Sequence, residues 1–137
     1  MSSLALAVLV SGHGSNLQAI LDAQCRGLIA TDIQVVISND PKAYGLMRAR
    51  RFRIPTEIVP HQQFLEREQF DTAVMNVLAR YQPDLVVLAG FMRILTPAFI
   101  QAYRGRLLNI HPSLLPMLPG LRTHERALHA GLREHGA

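Results

Sequence analysis

Apolar and polar positions along this chain alternate between two spacings. Residues 4 to 10 are an unbroken apolar run of strand length, and Ser15 to Arg26 follows with Leu17, Ile20, Leu21 and Ala23 at helical spacing. The same alternation continues: a β-branched run over Ile33 to Ile37, a helix over Ala43 to Phe52, a short strand over Thr56 to Val59, and a long helix over Phe64 to Tyr81. Leu85 to Leu88 reads as a buried strand ahead of Gly90. Pro97 stands where a first helical turn tolerates it, opening a helix to about Tyr103, and Leu107 to Ile110 forms a fifth strand. Strands taking turns with helices predict an α/β fold, a parallel sheet covered on both faces. Ligands of such sheets gather beyond the carboxyl ends of the strands. Three loops fall there: Ser11 to Asn16, Gly90 to Leu95, and Asn109 to His111.

At 137 residues and 49% hydrophobic content the chain can bury one core and reads as a single domain without repeats, low-complexity stretches or linkers. The amino-terminal apolar run has no basic residue before it and is ended early by Ser11-Gly12-His13-Gly14, so it reads as a buried strand, not a signal peptide or a membrane span. Cys25 is the single cysteine; it rules out an internal disulfide, fits a reducing, cytoplasmic compartment, and is expected to be a buried thiol within an amphipathic helix. The formal charge of +4 invites nucleic acid as a partner, yet Lys42 is the only lysine and the arginines are dispersed, the densest group being Arg48, Arg50, Arg51 and Arg53. That group reads as a solvated helix face, so nucleic-acid binding is not expected.

The first loop, Ser11 to Asn16, lacks the lysine of a triphosphate-binding loop, and Leu17 occupies the third position of a dinucleotide fingerprint, where a small residue is needed. Two readings remain: a glycine loop whose free amides and positive helix end suit a single phosphate, or a tight turn capped by Ser15. At the other end of the chain, Asn109 and His111 are two residues apart on an extended segment and share a face, with Pro112 ending the strand. A donor amide beside an imidazole suits proton transfer with oxyanion support. Six histidines invite a metal, but His124, His129 and His135 are spaced by five and six, not the three or four that share a helical face, so no metal is expected.

Taken together, Ala89-Gly90-Phe91-Met92-Arg93-Ile94-Leu95, Asn109-Ile110-His111-Pro112-Ser113-Leu114-Leu115-Pro116, Pro119-Gly120-Leu121 and Thr123-His124 resemble the folate-dependent formyltransferases. Val10-Ser11-Gly12-His13-Gly14-Ser15-Asn16-Leu17-Gln18-Ala19-Ile20 narrows the resemblance to the branch that formylates glycinamide ribonucleotide in purine synthesis. The resemblance implies a Rossmann-like formyltransferase fold, incomplete at the C-terminus. It divides the chain into a ribonucleotide-binding part at about 1–83 and the start of a folate and catalytic part at about 84–137. It further implies that Gly14, Ser15 and Asn16 bind the ribonucleotide phosphate. Arg67, Met92, Arg93, Ile94, Leu95 and Asn109 would contact 10-formyltetrahydrofolate, a cosubstrate, with no bound cofactor; Asn109 and His111 would be catalytic. Arg67 lies among Glu66, Glu68 and Asp71, so a surface ion pair is its alternative, and core packing is the alternative for the apolar folate residues. The family's catalytic aspartate falls beyond the position matching Glu134-His135-Gly136, and none of Asp22, Asp32, Asp40, Asp71 or Asp84 takes that role, so residues 1–137 by themselves are expected to transfer little formyl. Methionyl-tRNA formyltransferases and formyltetrahydrofolate deformylases share the Asn-x-His core but lack the glycine-loop opening; an inactive ligand-binding fragment is the alternative of another class.

Overall fold

The computed structural model describes residues 3–110. His111, the residues that follow it and the readings that rest on them lie outside the described residues. Five parallel strands, β1 (Leu4–Val10), β2 (Thr31–Ser38), β3 (Thr56–Ile58), β4 (Leu85–Leu88) and β5 (Leu107–Asn109), form one sheet in the order β3-β2-β1-β4-β5. The helices are α1 (Ser15–Cys25), α2 (Tyr44–Arg51), α3 (Arg67–Tyr81) and α4 (Pro97–Ala102). The expected α/β parallel architecture is therefore present, with every predicted strand and helix found within a few residues of its expected bounds.

Both faces of β1 are buried, which is why its sequence is continuously apolar. Leu6, Val8 and Val10 pack toward Leu17, Ile20 and Leu21 of α1 and Leu46 and Ala49 of α2. Ala7 and Leu9 point the other way, into a cluster with Phe70, Val74 and Leu78 of α3 and Phe99 of α4. In β2 the alternation is reset by an irregularity in its pairing with β1: Leu6 pairs with Ile33 but Ala7 with Val35. Skipping Gln34 turns Ile33 and Val36 to one face and Val35 and Ile37 to the other.

One helix start and one burial differ most from the sequence reading. The long helix begins at Arg67 instead of Phe64, because His61–Gln63 form a short 3-10 turn and Phe64 is extended, its ring packed edge-on against Phe70 at 5.9 Å. Cys25 is exposed, not buried, since it is the last residue of α1 and lies past the buried stripe of Leu17, Ile20 and Leu21.

Two devices fix the loops above the sheet. Gly14 has φ +81°, and a β-carbon there would lie 2.6 Å from the Gly45 Cα of α2. The small residue that lets a helix approach the loop is thus Gly14 meeting Gly45, not a residue at position 17. Asp71, buried in α3, accepts from the Thr96 amide and the Thr96 hydroxyl through one oxygen, both at 2.7 Å, while Thr96 caps α4 by accepting from Phe99. This carboxylate anchors the end of the loop that follows β4.

Gly14→Ala is expected to cost about 2–4 kcal/mol, through left-handed strain and displacement of α2. Gly12, whose added β-carbon would meet nothing within 4 Å, should accept alanine at a cost below about 1 kcal/mol. Urea unfolding of the two variants beside the parent checks the contrast. By the same measurement Asp71→Ala should lose about 2–3 kcal/mol, because it strands the buried Thr96 amide, and Asp71→Asn, which keeps an acceptor there, should lose less.

Candidate active site

The strand order reverses beside β1: the chain runs outward through β2 and β3, then returns to pair β4 on the other side of β1. The loops leaving β1 and β4 therefore diverge and open a crevice between them. A cleft of about 260 Å³ lies there, lined by Ser11, Gly12, His13, Gly14, Ser15, Asn16, Ala89, Gly90 and Met92.

One wall is the glycine loop. Ser15 is the first helical residue and not the cap: left-handed Gly14 occupies the cap position and no side chain caps α1. The first-turn amides consequently have no intrahelical acceptor, and no acidic residue stands in that turn to satisfy the positive end of the helix. The loop is braced from α2. The Gly45 amide donates to the Gly12 carbonyl at 3.0 Å. Arg48 donates through Nε to the His13 carbonyl at 2.9 Å and through Nη1 to Gln18 Oε1 at 3.1 Å, and its Nη2 lies 2.8 Å from His13 Nε2. The His13 ring stacks on Tyr44 at 5.4 Å. Arg48 is thus not part of a solvated helix face, as the arginine cluster suggested; it is engaged by the loop. His13 acquires a place in the same brace.

The opposite wall follows β4. Ser11 donates its hydroxyl to Asn39 Oδ1 at 2.6 Å and accepts from the Met92 amide at 2.7 Å, while the Ser11 amide donates to the Gly90 carbonyl at 3.2 Å. Asn39, buried at the end of β2, faces His61 Nδ1 with its amide nitrogen at 3.0 Å. Beyond Met92 the chain passes over α3: Phe91 stacks on Phe70 at 6.4 Å, and the Arg93 guanidinium sits 5.9 Å above the same ring.

The third contributor is the end of β5, where Asn109 pairs in register with Leu88 of β4. Asn16 Nδ2 donates to the Ile110 carbonyl at 3.4 Å, tying the start of α1 to that strand end.

The residues expected to bind ligands are partly gathered. Gly14, Ser15, Asn16 and Met92 share the cleft, and Asn109 stands beside β4 at the same edge of the sheet. Met92 and Ile94 are 79% and 66% exposed, an apolar surface open to a ligand, whereas Leu95 is 7% exposed and belongs to the core. Arg67 is exposed at the start of α3, does not line the cleft, and makes no ion pair; Arg80 with Glu57 at 3.4 Å is the one ion pair among the described residues. Asp71, offered as a partner for Arg67, is committed to Thr96 instead. Sequence reading does not single out Asn39 or His61, and it assigns Arg48 to a solvated helix face and Asp71 to the surroundings of Arg67, not to the loops they brace. Their partners lie 22 to 35 residues away in the chain, beyond any local spacing rule. Among the described residues no group of three or more His, Cys, Asp or Glu could hold a metal, and no helix is long and apolar enough to cross a membrane.

Comparison with known proteins agrees with this architecture. Residues 4–137 match the formyl transferase family model. The chain is 53% identical over 131 residues to the phosphoribosylglycinamide formyltransferase of Escherichia coli K12 and 49% identical to that of Haemophilus influenzae; in each case 96% of this chain aligns with 62% of the relative. The solved phosphoribosylglycinamide formyltransferase of Coxiella burnetii superposes with a TM-score of 0.78 at 53% identity, covering 95% of this chain and 61% of that one. The chain thus spans about three fifths of the length of these relatives. A parallel sheet whose connections diverge above the paired β1 and β4, a glycine loop opening α1, and a match over residues 4–137 lead to one conclusion: the chain belongs to the formyl transferase family.

Proposed function

We propose that the protein carrying this chain transfers a formyl group from 10-formyltetrahydrofolate to the amine of phosphoribosylglycinamide, a step of purine synthesis. The observation that most supports this reading is the bond from Asn16 to the Ile110 carbonyl, which brings a loop suited to phosphate against the strand that carries Asn109 and leads directly into His111. An acceptor anchored by its phosphate on the amides of Gly14, Ser15 and Asn16 would lie beside the group that activates the formyl donor. The names of the E. coli, H. influenzae and C. burnetii relatives support the choice of acceptor.

In this reading the exposed Met92 and Ile94, with Arg93, form the folate side, backed from the core by Leu95; residues 84 onward carry the donor and residues 1–83 the acceptor, Arg67 being the one donor contact from the earlier part. The amine nitrogen attacks the formyl carbon and a carbon–nitrogen bond forms. The negative charge that builds on the formyl oxygen is met by the Asn109 amide. His111 takes the proton lost by the amine and returns one to the folate nitrogen as its bond to the formyl carbon breaks. No covalent enzyme intermediate is required, and the cosubstrate itself carries the one-carbon unit. Both substrates are small anions, in keeping with the mildly basic charge of +4.

An absorbance assay of folate release with and without phosphoribosylglycinamide tests the assignment. Release that depends on the amine, with a formylated ribonucleotide as product, is the expected result; release to water without it would identify a deformylase. His111→Ala should lower kcat by roughly two to four powers of ten while leaving both KM values within about threefold.

A further inference from the structure

The two walls of the cleft touch through one side chain. Ser11 is the first residue after β1; the glycine loop starts immediately beyond it, and its hydroxyl reaches across to the backbone of Met92 on the opposite wall. The direction of each bond is settled by the partners. The Met92 amide can only donate, so Ser11 Oγ accepts at 2.7 Å and must send its own proton elsewhere; Asn39 Oδ1, an acceptor at 2.6 Å, receives it. Asn39 is itself buried and held at its amide nitrogen by His61 and at its carbonyl by the His61 amide at 3.3 Å. A hydroxyl fixed from both sides in this way has one rotamer and one orientation.

Resting on the formyl-transfer reading above, we propose that Ser11 is a positioning residue for both substrates: its hydroxyl sets the spacing between the ribonucleotide loop and the folate wall, and through it the reach of the amine to the formyl carbon. The β-sheet alone does not supply this spacing. β1 ends at Val10 and β4 at Leu88, so Gly90 to Leu95 and Ser11 to Gly14 have both left the regular ladder, and what joins them is the Ser11 amide to the Gly90 carbonyl and the Ser11 hydroxyl to the Met92 amide. Asn39 adds the third strand end, so β1, β2 and the loop after β4 meet at one oxygen. The hydroxyl is already engaged on both sides, so it positions the reaction without taking part in it. Its removal would leave the substrates their individual contacts and disturb their mutual alignment, and alignment errors near 1 Å are worth about a hundredfold in rate.

The test compares Ser11→Ala and Ser11→Thr with the parent in the complete protein, measuring formyl-transfer kinetics and amide hydrogen exchange. Ser11→Ala should lower kcat by about 10- to 100-fold with each KM within about threefold, and Ser11→Thr, which keeps the hydroxyl, should recover most of the loss. In ligand-free protein the Met92 amide should exchange at least about tenfold faster in Ser11→Ala, while amides of β1 and β4 keep the parent's protection. A kcat within twofold of the parent, unchanged Met92 exchange, or faster exchange spread evenly over the whole sheet would each overturn the proposal. A parent that transfers no formyl group would remove the functional reading instead, and the Met92 exchange would then decide whether Ser11 ties the two walls.

Discussion

The parallel pairing of β4 against the free side of β1 is the constraint on which the rest of the structure depends. β1 already holds β2 on its other side, so α1 and α2 cover one face and α3 and α4 the other, and the connections above β1 and β4 must separate. A crevice at that point is a consequence of topology, before any particular side chain is considered. The register, Leu6 with Leu85 through Leu9 with Leu88, then brings Ser11 and Gly90 level with each other, and β5 continues the series by setting Asn109 beside Leu88.

Among the described residues the crevice is lined without any Asp, Glu, Lys or Arg, and the charged Arg48 and Asp71 brace its loops from outside. The start of α1 is left uncapped and free of acidic residues, which suits an anionic guest better than a capping side chain would. Its loop is held from outside, by Gly45 and Arg48 of α2, at a separation that only glycine at position 14 allows. Across the cleft the loop after β4 is pinned at both ends, by Ser11 at Met92 and by Asp71 at Thr96, with the Phe70 ring beneath its middle. The exposed Met92 and Ile94 are thus presented by a segment whose backbone is fastened, and that is how an apolar surface can remain open without collapsing onto the core. Away from the cleft, Glu57 serves a structural role, accepting from the Tyr81 hydroxyl at 2.8 Å and raising the Tyr81 pKa chiefly through that bond.

Much of the fold was legible in local pattern because its signals are local. Apolar runs bounded by Ser11, Gly90 and Pro97 mark strands and a helix start, and Leu4 to Val10 and Leu85 to Leu88 coincide with the observed strands. Periodicity misleads where an apolar side chain serves from outside a helix: Phe64 packs on Phe70 from an extended segment and so mimics an earlier turn of α3. Cys25 falls on the helical pattern but is the last residue of α1, past the buried stripe. The glycine loop is recognisable from sequence as a strand-to-helix turn open to phosphate, whereas no local pattern shows that Gly14 is small for the sake of Gly45, thirty-one positions on. The Ser11–Asn39, Arg48–His13 and Asp71–Thr96 contacts join residues 25 to 35 apart, and such pairings exist only once the sheet has brought the strand ends together.

In the formyl-transfer reading one crevice receives both substrates, phosphate on the α1 side and folate on the side of Met92. A crystal structure of the complete protein with phosphoribosylglycinamide and a non-transferable folate analogue tests this most directly. The expected result is the phosphate against the amides of Gly14, Ser15 and Asn16, the pterin beside Met92 and Ile94, and the acceptor amine facing the formyl-equivalent atom next to Asn109. A phosphate bound away from the glycine loop, or a folate analogue seated outside the crevice between β1 and β4, would contradict it.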